Sequence, residues 1–189
     1  MVGPDKIMTG NLLFAACCLF YLVWWAVAFR PGFTAPMAVK SILLLITAGF
    51  GIAGLILIVN GCNIISMTHD GLFRSCITVI ASGAALYALL LFVTWHFMHR
   101  QVTTELMLIV FWVCMEVCVI LSLHEADVFA KAAAIVIAAV VIIAAAIGMI
   151  SYLAYYGMEP MKAYYDGMVP LVLFGIVMAG MSVYQMKGC

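Results

Sequence analysis

The stretch Val102-Thr103-Thr104-Glu105-Leu106-Met107-Leu108-Ile109-Val110-Phe111-Trp112-Val113-Cys114-Met115-Glu116-Val117-Cys118-Val119-Ile120-Leu121-Ser122-Leu123 decides how the chain is read. As a helix it reaches about 33 Å, enough to cross a hydrocarbon layer of about 30 Å. Glu116 lies near its middle. A charged side chain at that depth costs about 2.5–3.5 kcal/mol on insertion scales. Residues of this kind face a cavity or a partner rather than lipid, so Glu116 is the first place to look for function.

Five further runs qualify as spans by length: Leu12–Phe29, Val39–Val59, Leu72–Met98, Val128–Tyr156 and Gly167–Met186. The expected architecture is therefore all-α and polytopic, with six transmembrane helices in one integral membrane domain, 1–189. Composition agrees: 68% of residues are hydrophobic and 8% charged, too little polar surface for a water-soluble domain. The first run ends in Ala26-Val27-Ala28, which mimics a signal-peptidase site. It is long enough to span, and is read as the first span. The connections carry breakers: Arg30-Pro31-Gly32, Asn60-Gly61, His69-Asp70-Gly71 and the segment Gly157 to Pro160. Trp24, Trp25, Trp95, Tyr155, Tyr156, Tyr164 and Tyr165 fall near run ends, where interfacial aromatics collect.

An even number of spans puts both termini on one side of the membrane. Basic residues do not choose the side: Lys6, Arg74, Lys131 and Lys187 fall with the termini, and Arg30, Lys40, Arg100 and Lys162 fall opposite. Eight basic residues balance eight acidic ones, which leaves no electrostatic case for nucleic acid and no polybasic patch for anionic lipid. The partners implied are the lipid bilayer, a small solute or proton, and further copies or subunits in the membrane. Of the seven cysteines, Cys17, Cys18, Cys76, Cys114 and Cys118 lie within apolar runs, where a thiol is a small hydrophobe. No disulfide framework and no metal-type CxxC is read.

Two halves, 10–98 and 102–186, carry echoes of each other. Ala35-Pro36-Met37-Ala38-Val39-Lys40 opens the second run, and Ala126-Asp127-Val128-Phe129-Ala130-Lys131 the fifth. His69-Asp70-Gly71-Leu72 precedes the third run, and Tyr165-Asp166-Gly167-Met168 the sixth. With three spans each, the second copy would be inverted, a plan common in transporters. Small residues mark where helices should meet: Thr47, Gly51 and Gly54 in run two, Ala134, Ala138, Ala145 and Gly148 in run five, and Gly175, Ala179 and Ser182 in run six. Runs two and five are expected at the centre. Generic bundle packing without symmetry explains the same stripes. Gly49-Phe50-Gly51-Ile52-Ala53-Gly54 matches a dinucleotide fingerprint only formally, because it lies inside a span rather than after a strand.

Glu105 and Glu116 lie three turns apart on nearly one face, about 16 Å along the axis, with Trp112 between them on that face. Together they suggest a polar path. No Lys or Arg shares the depth of Glu116, so an unpaired carboxyl there is expected to carry its proton. The structural alternative is a neutral Glu bonded to Thr78, Ser82 or another hydroxyl. His96 and His99 are one turn apart at the end of run three, and imidazoles can bind metal or sense pH. His69 and His124 are placed at the opposite surface. Solvated interfacial histidines are the plainer explanation, and His96 is the one inside the apolar run. The segment Tyr155 to Gly167 could form a vestibule, or simply an interfacial belt and turn. Asp70 and Asp166, each before glycine at a span entrance, suit N-caps.

These features suggest a small-solute transporter or channel, proton-linked, with Glu116 as the binding group and Glu105, Trp112 and His96 as accessories. A non-transporting anchor or scaffold subunit, and a small intramembrane enzyme or redox subunit, are the alternatives. No catalytic residue, metal ligand or cofactor is assigned.

Overall fold

A computed structural model describes residues 2–69, 71–98, 104–155 and 157–188. The described residues form seven helices: α1 Gly3–Phe29, α2 Met37–Ser66, α3 Leu72–Met98, α4 Thr104–Glu125, α5 Lys131–Tyr155, α6 Pro160–Asp166 and α7 Val169–Gly188. There is no strand among the described residues. Among the described residues six spans are long and apolar enough to cross a membrane, the sixth being α6 and α7 taken together. The protein is an all-α, multi-pass integral membrane protein.

Its surface is that of a bundle in oil. Leu45, Ile52, Phe73, Trp95, Val136, Ile150 and Ile176 point outward, each more than half exposed. The polar side chains Asn11, Thr47, Thr94, Glu116, Ser122, Ser151, Ser182 and Gln185 are buried. Apolar residues outside and polar residues inside follow from a solvent that offers no hydrogen bonds.

The closest packing joins α1 to the antiparallel α2. Gly3 and Gly10 on α1 face Gly61 and Gly54 on α2. A Cβ on Gly10 would stand 2.8 Å from Gly54 O, and one on Gly61 would stand 2.7 Å from Gly3 O. The backbones touch directly, a contact open only to glycine and one that gains dispersion where lipid provides no hydrophobic drive. Gly54 from the small-residue stripe of run two makes this contact, and Gly51 meets Cys17 beside it. Asn60-Gly61 is thus no breaker. The absent side chain admits α1, and α2 continues to Ser66.

From α1 the packing passes to α7, then to α5, then to α4. A lighter contact between α4 and α2 closes the ring, and α3 lies outside it against α4. The enclosed helix is α4, with 56% of its apolar window buried against 17% for α2 and 28% for α5. The expectation that runs two and five form the centre is corrected accordingly. Their small residues serve pairwise contacts, α2 on α1 and α5 on α4 and α7.

The turn between α4 and α5 is closed by Val128 N and Phe129 N on Leu123 O, with His124 Nδ1 2.9 Å from Phe129 O. The segment after α5 holds helix α6 rather than a plain turn. Asp166 ends that helix and its carboxylate accepts a 2.9 Å bond from Ser151 Oγ on α5, so it does not cap the last span. Asp70, Tyr156, His99 and Arg100 lie outside the described residues. Trp25 Nε1 donates to Tyr164 O at 3.0 Å and its ring abuts Gly167, which wedges α1 against α6 rather than leaving Trp25 as a free interfacial ring.

Candidate functional site

Glu116 occupies the interior of the bundle with no exposed surface. The faces of α4 explain this: Trp112, Met115, Val119, Ile120 and Leu123 bury with it, and Phe111 and Leu108 face out. Neither carboxyl oxygen has a hydrogen-bond partner among the described residues. Thr78 and Ser82, the hydroxyls considered for it, are exposed on α3, and Thr78 Oγ1 bonds Arg74 O within its own helix. The hydroxyl-bonded alternative is corrected: α3 sits behind α4, on the side away from Glu116.

Two contacts fix what lies level with that carboxyl. At one end of the bundle Gln185 Nε2 donates to Pro4 O at 2.7 Å, which brings the two ends of the chain together. Seven residues along α1 from Pro4 is Asn11, and seven back along α7 from Gln185 is Met178, each about 10 Å deeper. On the far side, Trp112 stacks on Phe174 with ring centroids 3.9 Å apart and planes 13° from parallel. Four residues on from Phe174 is again Met178, and four on from Trp112 is Glu116. Met178 and Glu116 therefore share a level. A Cβ on Gly175 would stand 3.4 Å from Cys18 Cβ, which sets Asn11 about one turn nearer the chain ends than Met178; none of the three has exposed surface.

The Asn11 carboxamide also lacks a partner at both Oδ1 and Nδ2 among the described residues. Trp112 Nε1 and Gln185 Oε1 are buried in the same condition. An unmatched buried polar group costs about 1–3 kcal/mol, and four such groups concentrated in one column are a costly arrangement for packing alone. Asn11 was not legible as a site residue. It stands near the start of the first span, and only the packing of α1 against α2 and α7 buries it.

Polar groups continue on both sides of this level. Toward the chain ends come Ser182 and Ser122, each fully buried and bonded back to its own helix, at Met178 O and Cys118 O, and then Gln185. Toward the other end the Trp112–Phe174 layer intervenes. Phe174 lies over Gly148, where a Cβ would come within 3.0 Å of the ring. Beyond it Ser151 bonds Asp166.

The other predicted residues do not converge on this column. Glu105 is exposed in the first turn of α4, where its neighbour Leu106 is buried, so at that level the face it shares with Glu116 is open. His96 is exposed near the end of α3, stacked on Phe92 at 5.4 Å. Glu116 and Trp112 are brought together; Glu105 and His96 are not. Among the described residues no three His, Cys, Asp or Glu side chains form a metal-ligating group.

A separate apolar cleft of about 620 Å³ lies between α2, α3 and α4. Its walls include Cys62, Cys76, Cys114 and Cys118, and it does not reach Glu116. Comparison of the chain with protein-family models, curated proteins and solved structures finds no match.

Proposed function

We propose that this protein is a small-solute transporter or channel, proton-linked, in which Glu116 is the protonatable binding group and Asn11 its partner. One observation carries this reading: a carboxyl and a carboxamide, both fully buried inside the bundle, neither bonded to protein among the described residues. A protonated carboxyl has one donor, a carboxamide two, and both have acceptor capacity. Such a pair suits a small neutral polar solute or a proton moving alone. A neutral carboxyl is the form a dry interior tolerates, so loss of its proton would be tied to wetting or to solute arrival. The Trp112–Phe174 layer would act as the barrier on one side, and the serines and Gln185 as the path on the other. The inverted relation between 10–98 and 102–186 belongs to the same proposal, and so does oligomerisation.

Proteoliposomes loaded with a pH-sensitive dye and given a pH gradient test this directly, with and without a panel of small amides, alcohols and weak acids outside. Glu116→Gln should remove any proton flux or solute uptake that the wild type shows. Unchanged flux in that variant sinks the role of Glu116. Absence of flux for the wild type with every solute favours the second reading, a non-transporting subunit. The specific observation for that alternative is α3, whose apolar window is only 6% buried, a face that a partner helix would cover.

A further inference from the structure

On the side of α4 away from Glu116, two cysteines from different helices meet. Cys118 Sγ on α4 donates toward Cys76 O on α3 at 3.9 Å. Both side chains are half-buried and line the cleft between α2, α3 and α4. Four more sulfurs share that cleft: Cys62, Cys114, Met107 and Met115. Cys114 lies one turn from Cys118, and Gly83 on α3 leaves the room its sulfur occupies. The polar lining residues Asn63 and Ser66 belong to the last turns of α2. Cys76 is one turn into α3, about 6 Å from its start. The sulfur pair is thus close to the polar end of an otherwise oily cleft.

We infer that Cys76 and Cys118 form a binding site for a soft monovalent cation, Cu(I) or its redox-inert analogue Ag(I). Thiolate and thioether sulfur select such ions over hard or borderline ones. Two sulfurs suffice for a linear two-coordinate ion, whereas zinc needs the larger ligand group that the described residues lack. Charge balance favours the monovalent ion in this setting. It forms one metal–sulfur bond to a cysteine sulfur as that thiol releases one proton, and the second sulfur donates as a neutral ligand. One positive charge enters and one leaves, so no net charge is placed in the hydrocarbon. The site is independent of the transport reading, since its cleft does not reach Glu116.

Reduced, detergent-purified protein titrated with Cu(I) against the chromogenic chelator bicinchoninate should withdraw one equivalent per chain. Cys76→Ser and Cys118→Ser should each withdraw none, and Cys17→Ser, whose sulfur is outside the cleft, should behave as the wild type. A second readout needs no variant: Ag(I) should protect Cys76 and Cys118 from N-ethylmaleimide, mapped by peptide mass. Equal protection of every cysteine, or equal loss of Cu(I) uptake in Cys17→Ser, overturns the assignment. A Cys76–Cys118 disulfide recovered from membranes alkylated at harvest would overturn it too, by making the pair a redox couple.

Discussion

Replacing Glu116 by leucine should make the protein more stable, an unusual outcome for a fully buried position. The carboxyl has two oxygens without partners among the described residues, and leaving a buried polar group unmatched costs about 1–3 kcal/mol. Leucine keeps the branched shape with one fewer heavy atom. The space left behind returns roughly 1 kcal/mol of that gain at most. The net expectation is a stabilisation of about 1 kcal/mol, up to about 2. Glu116→Gln keeps two unmatched polar atoms in place and should stay within about 0.5 kcal/mol of the wild type. Reversible unfolding in mixed micelles, followed by circular dichroism as the denaturing detergent is raised, measures both. If the leucine variant is weaker by more than about 1 kcal/mol while the glutamine variant is unchanged, the carboxyl is bonded in the native fold, and the reasoning from an unmatched group is refuted. A double-mutant cycle with Asn11→Leu then tests whether the two side chains serve one site. Side chains that serve each other should couple by more than about 0.5 kcal/mol, whereas separate ones should add.

Gly10→Val places a side chain against Gly54 O, 2.8 Å from where its Cβ would stand. It should destabilise by about 1–3 kcal/mol in the same unfolding assay, while Gly49→Ala, with nothing within 4 Å, should be neutral. Trp112→Ala removes the ring stacked on Phe174 and should cost about 3 kcal/mol or more; under the transport reading it should also raise the passive proton leak in dye-loaded proteoliposomes. Ser151→Ala deletes both bonds from α5 to Asp166 and should speed amide hydrogen exchange in α6 without altering exchange at the α1–α2 contact. Gln185→Leu frees Pro4 O, and it should cost about 0.6–1.7 kcal/mol, the range for hydrogen bonds between membrane helices.

The sequence by itself determined the fold class and the number of spans. Length and apolarity are properties of single segments, and a bilayer demands that each segment satisfy its own backbone, so six runs became six spans without reference to one another. It also singled out Glu116, because one carboxyl among hydrocarbon side chains is conspicuous wherever the helix packs. What depends on pairs of segments was left to the tertiary structure. Asn60-Gly61 reads locally as a break, yet Gly61 is where α1 touches α2. Asp166 reads as a cap, yet it accepts from Ser151 on another helix. Glu105 and Glu116 share a helix face on a wheel, but only the inner part of that face is enclosed, so one is exposed and the other buried. Asn11 is buried only through the packing of α1 against α2 and α7. In lipid the apolar faces of these helices are nearly interchangeable as partners, so which polar side chains meet is settled by close-packed glycines and stacked rings rather than by any pattern along one helix.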